Sequence, residues 1–278
     1  PLLHDKNDPA VRLVAPAAGT VEAVVRGARR KIERVVIAVD PSDSSAESVK
    51  PFAGADAVAI RGALAESGLW AMMRQRPFDI VPRSDVQPRS VMVTAMDTAP
   101  LALSPEECVR DKGAEIQAGI GVLRAICEEP IYIGVEKGSR LPDFEGAETV
   151  EFPRLHPAGN AGVQIANIDP VNKGETVLTL DIVTLARIGA LALTGVPDWT
   201  VQVAVTGSEI EHPQVMTAVA GADIESLIKG NVRNDGRHHR VISGNVLTGV
   251  PVGEDGFLRY PYRQVTVIPE GDDADEFM

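Results

Sequence analysis

Apolar and polar positions alternate with a period of two at both ends of the chain, and helical spacing enters through its middle. Val11-Arg12-Leu13-Val14, Thr20 to Val25 and Arg34 to Val39 read as short strands around the turn Ala15-Pro16-Ala17-Ala18-Gly19. Residues 41–50, rich in Ser, Asp and Pro, read as a linker. A helix is expected over about 55–66 and a buried strand over 90–95. Ser104-Pro105-Glu106-Glu107 is a helix start, with Ser104 as N-cap, Pro105 first and Glu107 three residues after the cap. That helix is expected to run to about Glu128 and to lead into a strand over 130–135. Strand, long helix, strand is a βαβ unit, so the middle region reads as α/β with a mainly parallel sheet. A further helix over Asp181–Leu193 is capped by Asp181 and closed by Gly195. Beyond it, Val and Thr alternate over 200–205, 241–246 and 264–268, with one short helix near Asp223–Ile228. A small sheet wrapping one helix is a β-grasp pattern.

At 278 residues the chain exceeds a single typical core, so two or three domains are expected. Its composition, 44% hydrophobic and 24% charged, is that of an ordinary soluble protein. The richest apolar run, Ile182 to Leu193, is short, is interrupted by Arg187, and reads as a buried helix rather than a membrane span. A net charge of −12 argues against a nucleic-acid partner and against adhesion to an anionic lipid surface by charge alone. Cys108 and Cys127 bracket the predicted long helix, about 28 Å apart at ~1.5 Å per residue. They are too far apart for a disulfide and too few for a four-thiolate cluster. A reducing, cytoplasmic compartment follows. Pro1 enters strand-like sequence directly and the acidic stretch Glu270–Met278 has no closing element, so the chain reads as a fragment.

The densest chemistry lies in Ser67-Gly68-Leu69-Trp70-Ala71-Met72-Met73-Arg74-Gln75-Arg76-Pro77-Phe78. Large adaptable apolar groups beside fixed positive charge suit a flat, partly polar ligand or a partner surface, and equally an interdomain packing segment. Asp97 sits just past a predicted strand end, where open α/β sheets bind ligands, and also suits a turn carboxylate. His156 is a candidate titratable donor or a structural loop residue. Asp169-Pro170 reads as a turn. Arg237-His238-His239-Arg240 has the residue types of a metal or anion site, but reads better as a solvated loop. No residue is assigned as catalytic or metal-ligating, and no hydrolase or metalloprotease motif is present.

Several long motifs, taken in order, resemble one family across essentially the whole chain. They are Trp70 to Phe78, Val93-Thr94-Ala95-Met96-Asp97-Thr98-Ala99-Pro100, His156-Pro157-Ala158-Gly159-Asn160-Ala161-Gly162, Val241 to Gly249, and Tyr262 to Gly271. That family is NqrA, one of the subunits of the bacterial sodium-translocating NADH:quinone oxidoreductase (Na+-NQR). The resemblance implies a multi-domain α/β protein. A partial barrel-sandwich hybrid would cover 1–45, a Rossmann-like α/β domain 46–197, a β-grasp (SLBB-type) domain 198–271, and an acidic tail 272–278. Family members continue at both ends. Asp5-Lys6 resembles a lipoyl attachment hairpin, but Asn7-Asp8-Pro9 and the distant Gly19 favour a sandwich without a carried group. The family looks like a degenerate relative of the flavin- and NADH-binding subunit of respiratory complex I, whose glycine-rich loop lets backbone N–H groups approach a phosphate. Here Ser67-Gly68-Leu69 is kept, but Trp70 to Phe78 fills the loop with bulky side chains. The resemblance therefore implies a peripheral subunit without a redox centre, on the cytoplasmic face of the bacterial inner membrane. FMN, FAD, 2Fe-2S and riboflavin would belong to the partners NqrB to NqrF, with the integral membrane protein NqrB as the chief partner. Ubiquinone is the candidate ligand: Arg74 and Arg76 are the expected donors, Trp70, Met73 and Phe78 the wall, with partner docking by the same residues as the other reading. The competing function is a self-contained NADH- or flavin-binding oxidoreductase domain.

Overall fold

The computed structural model describes residues 1–253 and 256–272. The described chain falls into two compact units, residues 1–96 with 105–198, and residues 97–104 with the segment from 199 onward. The expected acidic tail lies, from residue 273, outside the described residues.

The first unit opens with two small antiparallel pairs, β1 (Leu3–His4) with β2 (Arg12–Leu13), and β3 (Gly19–Arg26) with β4 (Ile32–Val39). Helix α1 (Ala57–Glu66) follows, capped by the Asp56 carboxylate accepting from Ala59 N. The central sheet then collects β5 (Arg74–Arg76), β6 (Ser90–Thr94), β7 (Ile131–Glu136), β8 (Glu148–Phe152) and β9 (Val177–Asp181) in the order β5-β9-β6-β7-β8. All neighbours are parallel except β5 against β9. The expected βαβ unit is present as β6 and β7, although the helix between them is in two pieces, α2 (Pro105–Cys108) and α3 (Gly113–Ile126). Positions three and four beyond the buried Val109 are Lys112 and Gly113, so the apolar stripe lapses there and restarts with Ile116 and Ile120. Cys108 thus ends α2 and Cys127 follows α3, and neither is in a disulfide.

Helix α4 (Ala161–Ile168) connects β8 back to β9, and α5 (Ile182–Thr194) follows with the expected caps, Asp181 and a left-handed Gly195. Met92, Ile165 and Val177 form the α4 side of the sheet. On the other face α3 and α5 pack closely, and a side chain at Gly189 would strike the Glu115 carbonyl. Arg187, which interrupts the apolar run, is itself buried.

The second unit holds the five-stranded sheet of β10 (Thr200–Thr206), β11 (Gln214–Val219), β12 (His239–Ser243), β13 (Val250–Val252) and β14 (Gln264–Pro269), in the order β11-β10-β14-β12-β13. Helix α6 (Ile224–Ile228), capped by Asp223, buries Ile224, Leu227 and Ile228 against Val203, Val205, Val265 and Val267. This is the β-grasp arrangement expected from the Val/Thr alternation. Among the described residues no helix is long and apolar enough to cross a membrane.

Candidate functional site

Gly68, with a φ of 84°, turns the chain at the end of α1 and starts a short 3-10 turn over Leu69–Met72. The backward turn aims the next side chains into the core: Leu69, Trp70 and Met73 are fully buried. Trp70 donates its indole N–H to the Pro82 carbonyl at 2.8 Å. The Arg61 guanidinium lies over the Trp70 ring, 5.5 Å from its centroid, and bonds to the Ser84 and Ile126 carbonyls. Burial lowers the Arg61 pKa below the ordinary guanidinium value. Arg74 folds back onto the carbonyls of Ala71 and Met73, at 2.8 and 2.9 Å.

The second half of the segment behaves differently. β5 turns at Pro77–Asp79 and returns through a Gln75–Ile80 bridge. Phe78 is 74% exposed and Ile80 51%. Half-buried Arg76 lies 3.4 Å from Asp79. The five residues grouped in the sequence therefore do not line one wall: Trp70 and Met73 point inward, Phe78 outward, and Arg74 is engaged by its own turn.

The chain runs β6, β7, β8 in one direction across the sheet and then returns to β9 on the other side of β6. That reversal is a topological switch point, where open α/β sheets bind ligands beyond the strand C-termini. Thr94 and Asp181 face one another there. The Asp181 carboxylate accepts from Thr184 N at 2.7 Å, so the positive end of α5 already meets an anion. Asp97 belongs to the second unit and accepts from Ala99 N, the geometry of a turn carboxylate. His156 is exposed in the loop between β8 and α4. Asp169 is more than a turn former, because Arg89 pairs with it at 2.5 Å and with Glu175 at 2.9 Å.

The histidine pair splits. His238 is exposed beside Asp272, as a solvated loop requires, but the His239 side chain is only 9% exposed and opens β12 between Glu209 and Asp235. Adjacent residues of a strand point to opposite sides, and the strand begins at His239 rather than at Val241.

Comparison with known proteins places this architecture. A family model described as the NqrA second alpha/beta domain matches residues 55–197, half of the chain. The chain belongs to the NqrA family. Two further NqrA models match, the N-terminal barrel-sandwich hybrid domain over residues 1–40 and the C-terminal domain over residues 202–253. A protein of Rhodopirellula baltica, named as the A subunit of Na(+)-translocating NADH-quinone reductase, is 35% identical over 280 residues, covering 98% of this chain and 61% of its own length. Proteins of the same name from Saccharophagus degradans and Neisseria gonorrhoeae are each 36% identical, with 62% and 61% of their lengths covered. The chain thus spans about three fifths of these curated NqrA relatives. A chain of an NAD+-reducing [NiFe]-hydrogenase crystal structure shares the fold with a TM-score of 0.54 at 15% identity, over 76% of this chain and 47% of that one.

Proposed function

We propose that this NqrA-family chain acts as a docking subunit of a sodium-translocating NADH:quinone reductase, lying peripherally on the cytoplasmic face of its membrane partners and holding no redox centre. The observation that carries this reading is the burial of Leu69, Trp70, Met72 and Met73 at the place where a nucleotide loop needs open, glycine-rich backbone. The carboxylate on the N-terminus of α5 supports it, because a phosphate there would meet like charge. The flavins, the iron–sulfur centre and the sodium path then belong to partner subunits. The exposed tip Phe78–Ile80, with Asp79 at its centre paired to Arg76, has the aromatic-plus-arginine chemistry of an interface anchor, and it is the docking point we assign.

Copurification of the tagged chain with its partner subunits tests this. Phe78→Asp with Ile80→Asp is expected to lower association at least about tenfold while leaving the unfolding midpoint unchanged. Unchanged association removes the tip as the docking point. Saturable binding of a water-soluble ubiquinone to the free chain, lost in Arg76→Ala, assigns the tip to quinone instead. Stoichiometric NADH or flavin binding by the free chain favours the self-contained oxidoreductase.

A further inference from the structure

The β-grasp unit brings three metal-type donors together from three separate stretches: Glu209 in the turn after β10, Asp235 in the loop before β12, and His239 at the start of β12. Glu209 is 7% exposed. His239 Nε2 lies 3.4 Å from Glu209 Oε2 and 3.3 Å from Asp235 Oδ1, and the three ligand atoms all lie within 4.8 Å of one another. One ring nitrogen carries at most one proton and points it at one acceptor, and a charge-assisted N–H···O bond closes to ~2.7–2.9 Å. Neither contact does so: the one to Asp235 is a long hydrogen bond and the one to Glu209 is longer still. Glu209 is a buried carboxylate, and its Oε2 faces this imidazole.

The two distances from His239 are those of neighbouring ligands in an ion's coordination shell. Ligands ~2.0–2.2 Å from a tetrahedral zinc stand roughly 3.3–3.6 Å from one another. Both carboxylates have partners outside the cluster: Ser208 Oγ donates to the other Glu209 oxygen, Oε1, at 3.0 Å. Arg237 N donates at 3.0 Å to Asp235 Oδ1, the same oxygen that faces His239, and the Arg237 guanidinium lies 3.9 Å from Oδ2. These contacts orient the two carboxylates toward His239 Nε2. A ring nitrogen among the donors selects a transition metal over Ca2+ and Mg2+, which take oxygen shells.

We propose that Glu209, Asp235 and His239 bind a divalent transition-metal ion of the zinc class, with the fourth position open to solvent on the Asp235 side. The ion balances two carboxylates and fastens the loop before β12 to the turn after β10, so its role is to stabilise the β-grasp sheet. This site is independent of the docking reading, since none of its residues belongs to the α/β unit.

The test uses the chain stripped with a chelator and titrated with Zn2+ by calorimetry and with Co2+ by visible absorption. The expected result is one ion per chain, a tetrahedral Co2+ spectrum, and a higher melting point for the sheet when Zn2+ is present. Asp235→Asn, in an exposed loop where folding is not at stake, is expected to weaken binding about tenfold or more, and His239→Gln to abolish the Co2+ spectrum. His238→Gln leaves both unchanged. Absence of saturable 1:1 binding, or an equal loss in His238→Gln, overturns the proposal and assigns any bound metal to surface histidine.

Discussion

Leu69–Met73 and Phe78–Ile80 stand a few residues apart, share the same mixture of aromatic, aliphatic and arginine neighbours, and meet opposite fates. The first stretch enters the core behind a left-handed glycine; its Trp70 indole donates to Pro82, and its Ala71 carbonyl accepts from the Arg74 guanidinium that follows it. The second is held on a two-strand tip with its apolar groups in solvent. Composition put both in one candidate site; backbone direction separates structure from surface. In a fold built on a switch-point sheet, the buried stretch fills loop space, and the exposed one is the surface on which the docking proposal rests.

The sharpest way to break this comparison is to truncate both halves. Trp70→Ala is expected to cost about 3–5 kcal/mol in urea unfolding, from cavity formation and from the carbonyl of Pro82 losing its donor. Phe78→Ala should stay within about 0.5 kcal/mol of the parent chain. Equal effects would erase the distinction. A second test concerns the helix pair beneath the sheet. Gly189→Ala forces a methyl group against the Glu115 carbonyl and is expected to cost about 1–3 kcal/mol or more. Gly121→Ala, at a helical glycine with open space around it, should instead gain about 0.5–1 kcal/mol. Calorimetric melting of the two variants reads the difference in sign. Smaller still, Asp181→Ala removes the cap of α5 and is expected to cost about 1 kcal/mol. If the same change created phosphate or nucleotide affinity, as gel-filtration binding would detect, the carboxylate would be what excludes an anion from the switch point.

Much of the fold was legible because its signals are local. Asp181 and Gly195 bracket α5 by capping chemistry alone, and the Val/Thr alternation announces the β-grasp strands. The strand β9 was not legible, because Val177 to Leu180 is a short, mostly apolar run separated from the apolar start of α5 by Asp181 alone, and neither period stands out. Helix α4 is short and rich in small residues, and the lapse at Lys112–Gly113 shows only when the stripe is traced residue by residue. In the candidate site, the inward turn of Trp70 depends on the Gly68 backbone and on a carbonyl twelve positions away. The Glu209–His239 contact needs the turn after β10 and the start of β12 brought together by the sheet, and no spacing rule in the sequence connects them.

The most direct measurement is amide hydrogen exchange on the chain, free and then bound to the partner subunits of the reductase, read at residues 69–73 and 77–80. The account predicts strong protection at 69–73 in the free chain, unchanged on binding or on adding NADH, and new protection at 77–80 only when the partners are present. Weak protection at 69–73 that rises with NADH, flavin or quinone, with 77–80 unaffected by partners, would contradict it.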